Sequence, residues 1–152
     1  MKQTRLMKIK EEQQNINLDI KWRILIIVLA SICMTLVSVS IVNVALPSIQ
    51  KSLNASQSAL QWILSGYALT FGVTLIAAGR AGDIMGRGGL FILGVFIFSL
   101  SSILAGFAPN STWLNIARFV QGVASGIINP QGLGMIQEYF KGAERGRAFG
   151  FF

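Results

Sequence analysis

Arg118 is the side chain whose position most needs an explanation. It lies within the run from Trp113 to about Tyr139, which is otherwise uncharged until Glu138. Asn115, Arg118, Gly122, Ser125 and Asn129 recur at spacings of three and four, so a helix would carry all five on one face. A charge at the centre of a bilayer costs at least ~2.5 kcal/mol on insertion scales, and such residues usually face a bundle interior or a water-filled path. Snorkelling is the alternative, since Arg118 is only about 8 Å along the helix axis from Trp113 and could reach the outer interface. The polar face around it favours the interior.

A second polar group is Gly79-Arg80-Ala81-Gly82-Asp83-Ile84-Met85-Gly86-Arg87-Gly88-Gly89. It separates two uncharged runs, 59–78 and 90–108, and reads as a short hairpin joining two membrane spans. Its glycines permit a tight reversal. If the segment is helical, Asp83 and Arg87 stand at i, i+4 and can pair. The chain has no His, and its single Cys33 lies in the first apolar run. Neither a metal site, a cofactor nor an internal disulfide is expected, and no cluster is available for enzyme chemistry.

The elements that must position these residues are membrane helices. Of 152 residues, 53% are hydrophobic and 12% are charged, against about 25% charged in soluble domains. The net charge of +7 comes from basic residues flanking the apolar runs. These act as topology signals and contacts to the lipid bilayer, and nucleic acid is not an expected partner. The expected fold is an all-α membrane protein with four transmembrane helices. A cytoplasmic tail covers 1–23 and a membrane domain covers 24–152. The spans run over about 24–46, 59–79, 89–108 and 113–139, each near the ~20 residues that cross a bilayer, and a fifth begins at about 148–152. The first run is longer than the ~7–15-residue core of a signal peptide, so it reads as an uncleaved span.

Within the spans, Ser31, Thr35 and Ser38 share a face suited to helix packing or to substrate contact. Pro47 is expected to end the first span. Trp62 fits an interfacial anchor. Gln61, Ser65, Ala68 and Gly72 form a stripe that either packs against a neighbour or lines a cavity, and Tyr67 lies off it. The third span, rich in Phe and Leu, reads as lipid-facing. Pro130, with Gly132 and Gly134, should kink or loosen the inner half of the fourth.

Taken in order, these residues resemble the first four spans of a major facilitator superfamily transporter, and more closely its fourteen-span drug/proton antiporter branch. Gly79, Asp83, Gly86 and Arg87 match the loop pattern G-x-L-x-D-x-x-G-R, with Ala81 in place of Leu and Gly88-Gly89 in place of basic residues. Ile41 to Pro47, including Asn43, matches the end of the first-span motif. Gln61-Trp62 and Tyr67 fit the second span. Ala117 to Gly122 matches R-x-x-Q-G, Pro130 fits the downstream proline, and Glu144 to Ala148 matches the entry to the fifth span. Ser38 stands where the branch usually has Asp.

The resemblance implies a fold of two six-helix halves, each built of inverted three-span repeats, and makes this chain an amino-terminal portion of one half. It implies proton-coupled export of drugs or other small amphipathic compounds, with the remaining spans of the transporter as partners. Arg118, Gln121, Asn115 and Ser125 would lie on the proton or substrate pathway. Gly79, Asp83, Gly86 and Arg87 would steady one conformation by docking the loop on the other half. Asn43, Pro47, Gly122 and Pro130 would serve helix packing. Two other readings stay open: a membrane structural or assembly subunit without transport, and a small four-span exporter acting as a dimer. The second should carry an acidic residue within the membrane, yet Asp83 and Glu138 both fall at the inner boundary.

Orientation follows from the basic residues. Six lie in the tail, two in the hairpin (Arg80, Arg87) and three after the fourth span (Lys141, Arg145, Arg147), against Lys51 on the opposite side. The positive-inside rule therefore puts the amino terminus in the cytoplasm of a multi-pass cell-membrane protein. A cysteine at position 51 (Lys51→Cys) should react with an impermeant maleimide from outside intact cells, and one at position 88 (Gly88→Cys) should be protected. The reverse labelling pattern would overturn this topology.

Overall fold

The computed structural model describes residues 2–151, with side chains described for 20–150. It contains five helices: α1 (Lys2–Ser52), α2 (Gln57–Met85), α3 (Arg87–Gly106), α4 (Ser111–Tyr139) and α5 (Ala143–Phe151). The side chains of the expected tail lie outside the described residues as far as Asp19. Phe152, the end of the expected fifth span, also lies outside them.

Among the described residues three stretches are long and apolar enough to cross a membrane: Ile20–Ser52, Gln57–Met85 and Arg87–Gly106. At 29 residues, α4 is long enough, but Asn115, Arg118, Gln121, Asn129 and Gln131 lower its apolar character. Most of these groups are turned away from lipid: Arg118, Gln121 and Gln131 are buried, and Asn115 and Asn129 are partly buried. α4 is the hub of the structure, with α2 and α3 packed along it. Among the described residues it holds the largest set of buried residues of any helix.

Helix ends depart from the sequence expectation at two places. Pro47 does not end α1, which continues to Ser52. A proline deprives one carbonyl of its donor, and membrane helices accommodate that loss through neighbouring groups. The chain turns instead at Asn54, where φ is +46°, a left-handed geometry that Asn tolerates better than most residues. Ser56 then caps α2 by accepting from the Ala59 N–H at 3.2 Å. The expected polar hairpin is likewise almost entirely helical. α2 runs on to Met85 and α3 starts at Arg87, so Gly86 alone makes the reversal, at φ +93°. Its N–H closes α2 on the Gly82 carbonyl at 3.1 Å.

Backbone proximity holds α2 on α4. A Cβ added at Gly122 would stand 2.5 Å from the Tyr67 carbonyl oxygen, and one at Gly126 would stand 2.8 Å from that of Phe71. Gly122 and Gly126 form a small-x-x-x-small pair, the spacing that lets membrane helices approach closely. On the other side, α3 packs through Phe91, Gly94, Phe98 and Ser101 while Ile92, Phe96 and Leu104 face outward. Two apolar clusters complete the packing. One joins Val28, Phe98, Ile128 and Phe140 across α1, α3, α4 and the residue after it. The other gathers Ala55, Leu60, Ile63 and Leu114 at the opposite end.

Gly122→Leu should lower stability by at least about 1–3 kcal/mol, the range for overpacking a tight contact, read by denaturant unfolding in detergent micelles. Gly72, whose added Cβ would meet nothing within 4 Å, is the control. Gly72→Ala should change stability by no more than ~0.5 kcal/mol. Equal effects at the two positions would refute the close α2–α4 contact.

Candidate functional site

Arg118 is 1% exposed and touches groups from two other helices, α1 and α2. Its Nε donates to the Ile63 carbonyl at 3.3 Å. Nη1 donates to the Ser38 hydroxyl at 3.1 Å and to the Gln121 amide oxygen at 2.8 Å. The guanidinium carbon lies 4.2 Å from the centroid of the Tyr67 ring, a cation–π placement. Gln121 passes the network on by donating from Nε2 to the Ser102 hydroxyl at 2.8 Å. α1, α2, α3 and α4 thus each contribute a group to one polar cluster, on helices that pack through apolar faces elsewhere.

Tyr67 also donates its hydroxyl to Ser125 at 2.8 Å, and the Asn129 amide donates to the Ser125 carbonyl at 2.9 Å. Arg118, Gln121 and Ser125 therefore belong to one connected set. Asn115 stands one turn away, with its Oδ1 buried and unpartnered among the described residues. Arg118 does not snorkel. The stripe of Gln61, Ser65, Ala68 and Gly72 is exposed, so it neither packs against α4 nor enters this cluster. Tyr67, which sequence left off that stripe, faces the charge.

The loop motif forms a separate site at the other end of α4. Asp83, near the end of α2, and Arg87, at the start of α3, pair across the Gly86 reversal. Arg87 Nη1 also donates to the Pro130 carbonyl at 3.4 Å. Its guanidinium occupies the space that a Cβ on Gly134 would need, so Gly134 is the seat for Arg87. Within the described residues the motif docks on α4 of its own chain. Nearby, the Gln131 amide donates to the Ala78 carbonyl at 2.6 Å. Asn43 and Pro47 join neither site: both are exposed, and the Asn43 amide donates to the Val39 carbonyl in its own helix at 3.1 Å. Beyond both sites, Lys21 and Glu144 form an ion pair at 3.2 Å that ties α1 to the start of α5.

Ser102, Gly126 and Gln131 escaped the sequence reading. Gly126 had a signal in its four-residue spacing from Gly122. Ser102 had a weaker one, as half of a hydroxyl pair in a run of Phe and Leu. For Gln131 the periodic pattern gave none. Among the described residues no group of three His, Cys, Asp or Glu could hold a metal ion. The Arg118 cluster also lacks a nucleophile–base pair. What it offers is a fixed positive charge surrounded by neutral acceptors.

Comparison with known proteins gives one family. The model described as Major Facilitator Superfamily matches residues 28–152. The probable actinorhodin transporter of Streptomyces coelicolor is 39% identical over 132 residues, covering 87% of this chain and 23% of its own length. Puromycin resistance protein pur8 of Streptomyces alboniger is 38% identical over 133 residues, covering 87% of this chain and 26% of its own. Multidrug resistance protein Stp of Mycobacterium tuberculosis is 37% identical over 111 residues, covering 72% and 21%. The chain spans about a quarter of the length of these curated relatives.

Tyr67→Phe keeps the ring under Arg118 and removes only the bond to Ser125. It should lower stability by ~1 kcal/mol, measured by denaturant unfolding in micelles. Tyr67→Ala removes the ring as well and should cost clearly more. Equal losses for the two variants would show that the ring does not support the charge.

Proposed function

Since this chain belongs to the Major Facilitator Superfamily, we propose that it forms the first four spans of an exporter of drugs or other small amphipathic compounds, driven by a proton gradient. The remaining spans of that transporter are its partners. The protein lies in the cell membrane with its amino terminus in the cytoplasm, and it moves its substrate without altering it chemically. The observation that carries this reading is the buried Arg118 cluster, built from four helices. A structural or assembly subunit has no need of a desolvated charge, and the names of the relatives point to antibiotics and drugs.

Arg118 is the coupling residue in this reading. A desolvated guanidinium favours the ionised form of any carboxylate that comes beside it, so it can bias when such a group takes up or releases a proton. Gln121 and Ser38 fix the guanidinium plane, and Tyr67 with Ser125 supports it from α2. Asp83, Arg87 and Gly86 set the α2–α3 reversal, and with Pro130 and Gly134 they steady one conformation.

Arg118→Lys should impair proton-driven efflux although the charge is kept, because the planar fork with its several fixed donors is lost. Arg118→Ala should abolish uphill efflux while membrane insertion survives, since removing a buried charge eases insertion. The measurement is drug efflux from vesicles carrying the whole transporter under an imposed pH gradient, normalised to folded protein. Parental efflux by Arg118→Ala would refute the role.

A further inference from the structure

The C-terminal end of α2, 79–85, is poorly built to stand as a helix. It contains Gly79 and Gly82, and glycine is among the weakest helix formers. Asp83 lies in the final turn, which holds no basic residue. A negative charge near a helix C-terminus opposes the macrodipole. Gly86, at φ +93°, ends the ladder immediately afterwards. Yet α2 is continuous to Met85.

A side chain from α4 holds this end in place. Gln131 Nε2 donates at 2.6 Å to the Ala78 carbonyl, the group that an α-helical ladder pairs with the Gly82 N–H. The Gln131 Oε1 is buried and accepts from nothing among the described residues. It stands where a Cβ on Gly82 would be, and such an atom would overlap the amide. Both residues are buried, so the contact is complete within this chain and needs no other segment to form it. One half of the amide is bonded and the other is a desolvated acceptor, which costs free energy while the amide stays seated.

We propose that 79–86 is a releasable segment latched to α4 by Gln131. A shift of α4 that withdraws the amide from Gly82 lets the ladder unwind from Gly86 back toward Gly79. Arg80, Asp83 and Arg87 set the segment at a membrane boundary, where water can take up the freed backbone groups. Asp83 travels with the segment, so release also parts it from Arg87. The loop motif keeps its present form only while Gln131 is seated. The inference draws on the α2–α4 contact alone and does not depend on the export reading.

The test is hydrogen–deuterium exchange of the purified chain in phosphatidylcholine nanodiscs, read by mass spectrometry on segments 83–86 and 64–68. Gln131→Met fills the same gap at similar volume and lacks the amide donor. It should speed exchange in 83–86 by about threefold to tenfold, as expected for losing one hydrogen bond, and leave 64–68 at the parental rate. Gln131→Asn, one methylene shorter and unable to reach Ala78, should give the same local rise and serves where Gln131→Met does not fold. Gly79→Ala strengthens the helix without touching Gln131, since its added Cβ meets Pro130 at an ordinary 3.9 Å. Added to Gln131→Met, it should return 83–86 most of the way to the parental rate. Parental exchange in 83–86 of the Gln131 variants overturns the proposal. So does an equal rise in both segments, which would make Gln131 a general packing residue, or a double variant that exchanges as fast as Gln131→Met.

Discussion

A guanidinium placed among apolar helices loses its water, and whatever surrounds it must replace the hydrogen bonds that water supplied. This requirement organises the structure around Arg118. Ser38 on α1, the Ile63 carbonyl and the Tyr67 ring on α2, and Gln121 on α4 supply those replacements. Ser102 on α3 is recruited at one remove, through Gln121. Two of the contacts, Ser38 and Gln121, are polar side chains that would gain little from burial on their own. They are buried or partly buried because the charge is there.

Such a cluster demands close helices, and close helices demand small residues. The α2–α4 seam meets this with Gly122 and Gly126, whose missing side chains let the Tyr67 and Phe71 backbones come within contact range. The Ile63 carbonyl lies one turn from Tyr67, so the seam that sets the helix spacing also sets the reach of Arg118. In a bilayer, helix association draws on packing and hydrogen bonds, because the lipid is as apolar as the side chains. The glycine seam and the polar cluster therefore act as one unit.

The loop motif solves a related problem at the other end of α4. Arg87 is partly buried, pairs with the exposed Asp83 and rests on Gly134. Pro130 lies inside α4, and its carbonyl accepts from Arg87 Nη1 at 3.4 Å. One end of α4 thus answers to a buried charge and the other to a boundary charge. Both place a glycine where a side chain would block the approach.

Sequence alone determined the membrane class, the order of the apolar helices and the polar face of α4, because these depend on composition and on periodicity within one helix. It also made the i, i+4 pairing of Asp83 and Arg87 available on condition that the segment was helical. It misplaced two ends. Pro47 reads as a stop, but a membrane helix can carry the lost hydrogen bond, and a run of glycines reads as a loop although only Gly86 needs a positive φ. Pairing between helices was decided only by the tertiary structure. Ser38, Tyr67 and Ser102 reach the Arg118–Gln121 pair from positions 80, 51 and 19 residues away along the chain from the residues they touch, and no periodicity within a single helix encodes such distances. Which face of α2 turned inward was settled in the same way. The Gln61–Gly72 stripe and the Gly66–Tyr67–Thr70 face are both small and polar enough to pack, and the need to bring a ring and a carbonyl to Arg118 selected the second.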